Sequence, residues 1–140
     1  MKYSNLLLIA VLLLSLASCK KQVQPANEIN FPGSLALNKL ESFDIDGETL
    51  TCSLDSVLQD SRCPINANCV WQGMAVARFN VSHDNTQSAI TLGTIKFGPY
   101  DTNSTVAGFK IELVGVSPYP ELGKPANYND YVAKVKITKL

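Results

Sequence analysis

From Phe31 onward, apolar positions recur at every second residue in short runs, and Gly, Pro, Asn and Asp cluster between the runs. Phe31-Pro32-Gly33 punctuates the start, after which Leu35, Leu37 and Leu40 fit a first strand or a short turn of helix. Phe43 and Ile45 alternate with Ser42 and Asp44, and Asp46-Gly47 follows, a strong short-range hairpin signal. Leu50, Cys52 and Leu54 then share one face against Thr49, Thr51, Ser53 and Asp55, and Val57-Leu58 breaks the phase as a β-bulge would. Residues 74–81 are apolar on both faces at first, which suits a central strand. Ser82 to Thr86 reads as a turn. A strand through Ala89, Ile90 and Leu92 is interrupted at Gly93 and expected to continue through Ile95 and Phe97. Tyr100 to Thr105 reads as a loop. Val106, Phe109, Ile111 and Leu113 predict a half-buried strand that ends at Ser117-Pro118-Tyr119-Pro120. A Gly-, Pro- and Asn-rich connection from Glu121 to Asp130 leads to a closing strand through Tyr131, Ala133, Val135 and Ile137. Lys134, Lys136 and Lys139 crowd that strand, as if to solubilise an edge.

No run after residue 31 keeps an apolar stripe of helical period. Seven to eight short strands predict an all-β fold, an antiparallel sandwich or small barrel. Residues 31–140 are enough for one domain with a core. They carry 9 basic and 11 acidic side chains, so no basic face points to nucleic acid.

The N-terminus departs from this pattern. Lys2 precedes an uninterrupted apolar run from Leu6 to Leu14, too short to span a bilayer, and Leu16-Ala17-Ser18-Cys19 closes it with small residues before a cysteine. Leu-Ala-Ser-Cys resembles the lipobox of bacterial lipoproteins. The resemblance implies a signal peptide over residues 1–18, removal of that leader, and a Cys19 carrying a diacylglyceryl group on sulfur and an acyl chain on its amine. Several acyl chains at one residue suffice for stable anchoring. Lys20 to Asn30 is polar and aperiodic, a tether between the lipid and the domain at 31–140. Lys20, rather than an aspartate, follows the cysteine, and no acidic run comes after it; both features resemble lipoproteins of the outer membrane that face the periplasm.

The stretch Asp60 to Gly73 holds two cysteines, a proline, two asparagines and the one tryptophan of the chain. Its Cys-x5-Cys spacing cannot be helical but can fold back into a stapled loop between two strands. With Cys19 given to lipid, Cys52, Cys63 and Cys69 allow one bridge. Cys63 with Cys69 is the favoured pair, because the alternation puts Cys52 in the core; a bridge from Cys52 to either partner is the alternative. Zinc fits poorly, since three thiolates and a distant His83 lack finger-like spacing. Val70 and Trp71 leave the loop as apolar residues expected to bury area beside the staple, and Trp71 is either core or a binding platform. Asp60 and Arg62 either form a catalytic or anion-binding pair or hold the turn by capping and ion pairing. His83 is expected at an exposed turn tip.

The Asp-Ser-Arg-Cys-Pro…Cys-Val-Trp-x-Gly pattern, with the later Pro-Tyr-Pro corner, resembles a group of uncharacterised bacterial secreted proteins and lipoproteins. That resemblance supports the staple and the strand after it and assigns no activity; Cys52 departs from it. Motifs for a nucleophile elbow, a zinc protease or a phosphate loop are missing. The sequence therefore reads as a non-enzymatic envelope lipoprotein without cofactor or metal, whose β-domain binds a protein or glycan partner. Two readings compete. One is a hydrolase or lyase using carboxylates such as Asp60, Asp101 and Asp130. The other is an inhibitor that presents the staple, which requires an exposed apex at Ile65 to Asn68.

Overall fold

The computed structural model describes residues 31–140; the leader, Cys19 and the tether at 20–30 lie outside the described residues. Eight strands form: β1 (Phe31–Ala36), β2 (Leu40–Ile45), β3 (Glu48–Asp60), β4 (Ala75–His83), β5 (Thr86–Gly93), β6 (Asn103–Val106), β7 (Phe109–Ser117) and β8 (Val132–Lys139). They make two four-stranded antiparallel sheets, ordered β1-β8-β7-β6 and β2-β3-β4-β5. The alternation explains the packing. Leu50, Cys52 and Leu54 of β3 and Ala77, Phe79 and Val81 of β4 face Phe109, Ile111 and Leu113 of β7 and Ala133, Val135 and Ile137 of β8 in one buried cluster. That is the layered core of an antiparallel sandwich.

The two ends of the sandwich differ in kind. At one, Asp46-Gly47, Asp84-Asn85 and Ala107-Gly108 make two-residue hairpin turns with positive φ at both positions, and the start of β1 lies beside the end of β8. We call this the hairpin pole. At the other end three of the four connections are long, covering 61–74, 94–102 and 118–131, beside the short link at 37–39, and we call it the loop pole.

Several expectations are corrected. Phe31-Pro32-Gly33 lies within β1, and Leu40 opens β2 with 67% of its surface exposed. β5 ends at Gly93, whose N–H donates to the Asp101 carbonyl, so Ile95 and Phe97 leave the sheet. Part of the expected loop at Tyr100–Thr105 is β6, a four-residue edge strand too polar to show in the pattern. The turn expected over Ser82–Thr86 contracts to Asp84-Asn85. β8 is no edge: it pairs with β1 and β7, and Lys139 pairs with Glu48 across the sandwich at 2.7 Å. The bulge at Val57-Leu58 is present. Val57 pairs with Ala77 and Gln59 with Val76, which leaves Leu58 unpaired and exposed.

Candidate functional site

The loop pole is built on Arg62, the one buried charged residue among those described, at 7% exposure. Its Nε donates to Asp60 Oδ1 at 2.8 Å and its Nη2 to Asp60 Oδ2 at 2.6 Å, a bidentate fork that a planar guanidinium is shaped for. Nη1 donates to the Val116 carbonyl at the end of β7, and Nη2 to the Pro118 carbonyl at 2.8 Å. The Tyr119 ring lies over the guanidinium, 4.7 Å from its carbon to the ring centre. The Tyr131 hydroxyl donates to Asp60 Oδ2 at 3.0 Å. One side chain thus ties the end of β3 to the end of β7, in the opposite sheet, and to the connection that follows.

Electrostatics agree with a structural knot. Burial pushes the Asp60 carboxyl up, but its bonds to Arg62 and Tyr131 outweigh this and hold its pKa below the ordinary aspartate value. Burial and the neighbouring carboxylate raise the Tyr131 hydroxyl. A general acid needs the opposite shift in its carboxyl, and both Asp60 oxygens already accept hydrogen bonds. Asp101 pairs with Lys96 at 2.9 Å, a bond that lowers its pKa, and Asp130 sits exposed on a 3-10 turn at Tyr128–Asp130.

The staple continues the β3–β4 hairpin. The Ser61 N–H donates to the Met74 carbonyl and the Cys63 N–H to the Gln72 carbonyl, each at 2.8 Å, and Cys63 is bonded to Cys69 with 5.9 Å between Cα atoms. Gly73 makes this approach possible. Its φ is +67°, and a Cβ there would sit 1.8 Å from the Ser61 carbonyl oxygen. The Ile65 N–H donates to the Pro120 carbonyl and the Leu122 N–H to the Ile65 carbonyl, locking the staple to the 118–131 connection. Cys52 is free and buried, and burial lifts its thiol pKa to about 12, so it stays a neutral core thiol.

Two expectations fail here for a shared reason, the position of the sheet ends. Val70 is fully exposed and Trp71 is 45% exposed, because both lie on the loop before β4 begins at Ala75, and burial starts only at Gly73 and Met74. Trp71 packs on Phe97 with ring centres 5.2 Å apart. His83, conversely, is not at a turn tip. It ends β4 with a side chain 10% exposed, edge-on to Phe109, and its Nδ1 lies 3.0 Å from the Thr49 carbonyl oxygen.

Beside the knot lies a shallow groove of about 350 Å³, lined by Gln72, Gly73, Thr94, Ile95, Val114 and Tyr119 among others. A second groove, of about 490 Å³, runs over small polar side chains such as Thr51, Asn80, Ser82 and Gln87. No carboxylate lines either. Among the described residues, no set of three His, Cys, Asp or Glu side chains is placed to hold a metal, and no helix is long and apolar enough to cross a membrane. The large apolar side chains left exposed gather at the loop pole. Seven of the eleven, Ile65, Val70, Trp71, Phe97, Tyr119, Leu122 and Tyr128, lie on its three long connections. No protein-family model, curated protein or solved structure matches the chain.

Proposed function

We propose that the protein is a lipid-anchored component of the bacterial cell envelope, attached through Cys19 to the outer membrane, whose sandwich is a non-enzymatic binding head. The observation that carries the binding reading is the concentration of exposed apolar and aromatic side chains on three mutually braced loops. Contiguous exposed apolar surface marks interaction sites, and bracing lowers the entropic cost of association. The anchor rests on Leu16-Ala17-Ser18-Cys19. The test is radiolabelled palmitate incorporation with membrane fractionation. Wild type is expected to label and to sediment with outer membranes, while Cys19→Ala accumulates as unlabelled precursor; a Cys19→Ala chain that is still cleaved and acylated would refute the anchor.

The inhibitor reading keeps one specific observation in its favour. Ile65, Asn66 and Asn68 at the staple apex are exposed. Ile65 already gives its backbone N–H and carbonyl to residues 120–122, so a peptidase would meet side chains on a rigid loop. Slow, tight inhibition of an envelope peptidase that Asn66→Pro abolishes is the outcome this reading requires.

A further inference from the structure

We propose that the free edge of β5 pairs with β5 of a second copy of this chain, antiparallel about a two-fold axis at Ser88, so that two four-stranded sheets join into one. The inference goes beyond the binding reading and depends on neither the lipid nor the loop pole. β5 is an outer strand of its sheet, with β4 on one side and no strand on the other. His83 and Thr86 flank a two-residue turn and pair across it, so they exchange both ladder bonds. Alternation then gives Ser88 and Ile90 to β4 as well, and turns the N–H and C=O of Gln87, Ala89 and Thr91 away from it. Gly93, next in that series, confirms the direction, because its N–H donates to the Asp101 carbonyl, off the sheet, at 2.9 Å. Gln87 and Ala89 are exposed, and among the described residues no backbone group bonds to their outward N–H and C=O.

The other three sheet edges are guarded against such pairing. β1 contains Pro32, which has no N–H to donate. β2 carries Glu41 and Asp44, like charges that a second β2 would meet, and β6 has only four residues. β5 runs for eight residues without a charge or a proline. Its open part also has the symmetry that a self-pair requires. It starts after Asp84-Asn85 and stops where Leu92 meets Asp101, which leaves Thr86 to Ile90 with Ser88 at the centre. A two-fold axis there sets Gln87 opposite Ala89 of the second copy and Ala89 opposite its Gln87, each pair exchanging both backbone bonds. Ser88 faces its own counterpart, hydroxyl to hydroxyl, with about 4.5 Å between Cα atoms, and no like charges oppose each other along the ladder. That symmetry selects a second copy over a foreign strand. The groove of about 490 Å³ reaches Gln87, Ser88 and Ala89, so pairing joins the grooves of both copies into one uncharged trough. So short a ladder is small for a protein interface, and the dimer is accordingly weak.

Sedimentation of the full chain in mild detergent, up to several hundred micromolar, is expected to show a reversible monomer–dimer equilibrium and nothing larger, since closure leaves only guarded edges. Ala89→Pro removes one outward N–H and leaves the β4 ladder intact, so it should keep the urea unfolding midpoint and raise the dimer dissociation constant at least about tenfold. Ser88→Lys and Ser88→Glu set like charges on the axis; each should be monomeric alone, and an equimolar mixture of the two should form a heterodimer. A chain that stays monomeric at every concentration, a dimer that Ala89→Pro leaves intact, or a mixture that fails to pair overturns the proposal. A foreign protein that occupies β5 and is released by Ala89→Pro overturns the second copy as the partner. Should Ser88→Lys or Ser88→Glu lower the urea midpoint, cysteines decide instead. Ser88→Cys, oxidised in place, should yield a disulfide-linked dimer, and Ser42→Cys on the exposed edge of β2 should not. Equal crosslinking at the two positions overturns the pairing.

Discussion

Arg62 serves three elements at once, so its loss cannot be local. Arg62→Ala is expected to cost about 3–5 kcal/mol in urea unfolding, because it leaves the Asp60 carboxylate buried without its partner. The carbonyls of Val116 and Pro118 lose their donor as well. Arg62→Lys should recover little of this, since a point charge cannot bridge both Asp60 oxygens and two carbonyls. Asp60 also gives the protein an acid-side weakness. Its folded pKa lies below the unfolded value, so its contribution to stability is complete above the ordinary aspartate range near about pH 4 and is lost as pH falls through the folded pKa. Unfolding midpoints measured from pH 6 down to pH 2 should fall in wild type, and the part due to Asp60 should vanish in Asp60→Asn. An unaltered pH slope in that variant would show that other carboxyls dominate.

Among the elements, the staple and the hairpins separate what local sequence encodes from what it cannot. Cys63→Ser and Cys69→Ser should each destabilise by about 2 kcal/mol, the chain-entropy value for so short a loop, and the double variant by no more. Trp71 adds no core packing to this loss, because it lies on the surface. Cys52→Ala should cost a core side chain instead and leave no thiol in the domain when it is counted in denaturant without reductant; two thiols in that variant would mean that the bridge involves Cys52. A contrasting case is Ala107, at φ +50° in the β6–β7 turn, where an L side chain is strained. Ala107→Gly is expected to stabilise by about 0.5–1 kcal/mol in urea, and a loss of stability there would contradict the turn. Asp46-Gly47 and the Leu58 bulge were legible because turn chemistry and a phase break are local signals. The Ala107 turn was not, since alanine does not announce positive φ, and β6 is short and polar. The partners of Arg62 were hidden for a different reason. Val116 and Pro118 are 54 and 56 residues away, and nothing near Arg62 marks them. Trp71 misled because apolar character specifies burial only where the sheet continues.

At the scale of the whole molecule, the domain should begin where β1 does. A chain starting at Asn30 is expected to be soluble and to unfold in one cooperative transition, since all eight described strands lie at or after Phe31. A chain starting at Leu37 removes Leu35 from the core and uncovers the full length of β8 on one side, so it should aggregate. Equal solubility of the two, by size-exclusion chromatography, would show that β1 is dispensable.

The pairing of β1 with β8 also sets a schedule. A polypeptide made from its N-terminus holds β1 without its ladder partner until β8, the last of the eight described strands, has been released. Tyr131, which bonds Asp60, precedes that strand by one residue. The sheet of β1, β8, β7 and β6 and the brace beneath the loop pole are therefore completed in the same event, and any chain halted before Tyr131 offers neither a finished sheet nor a complete brace.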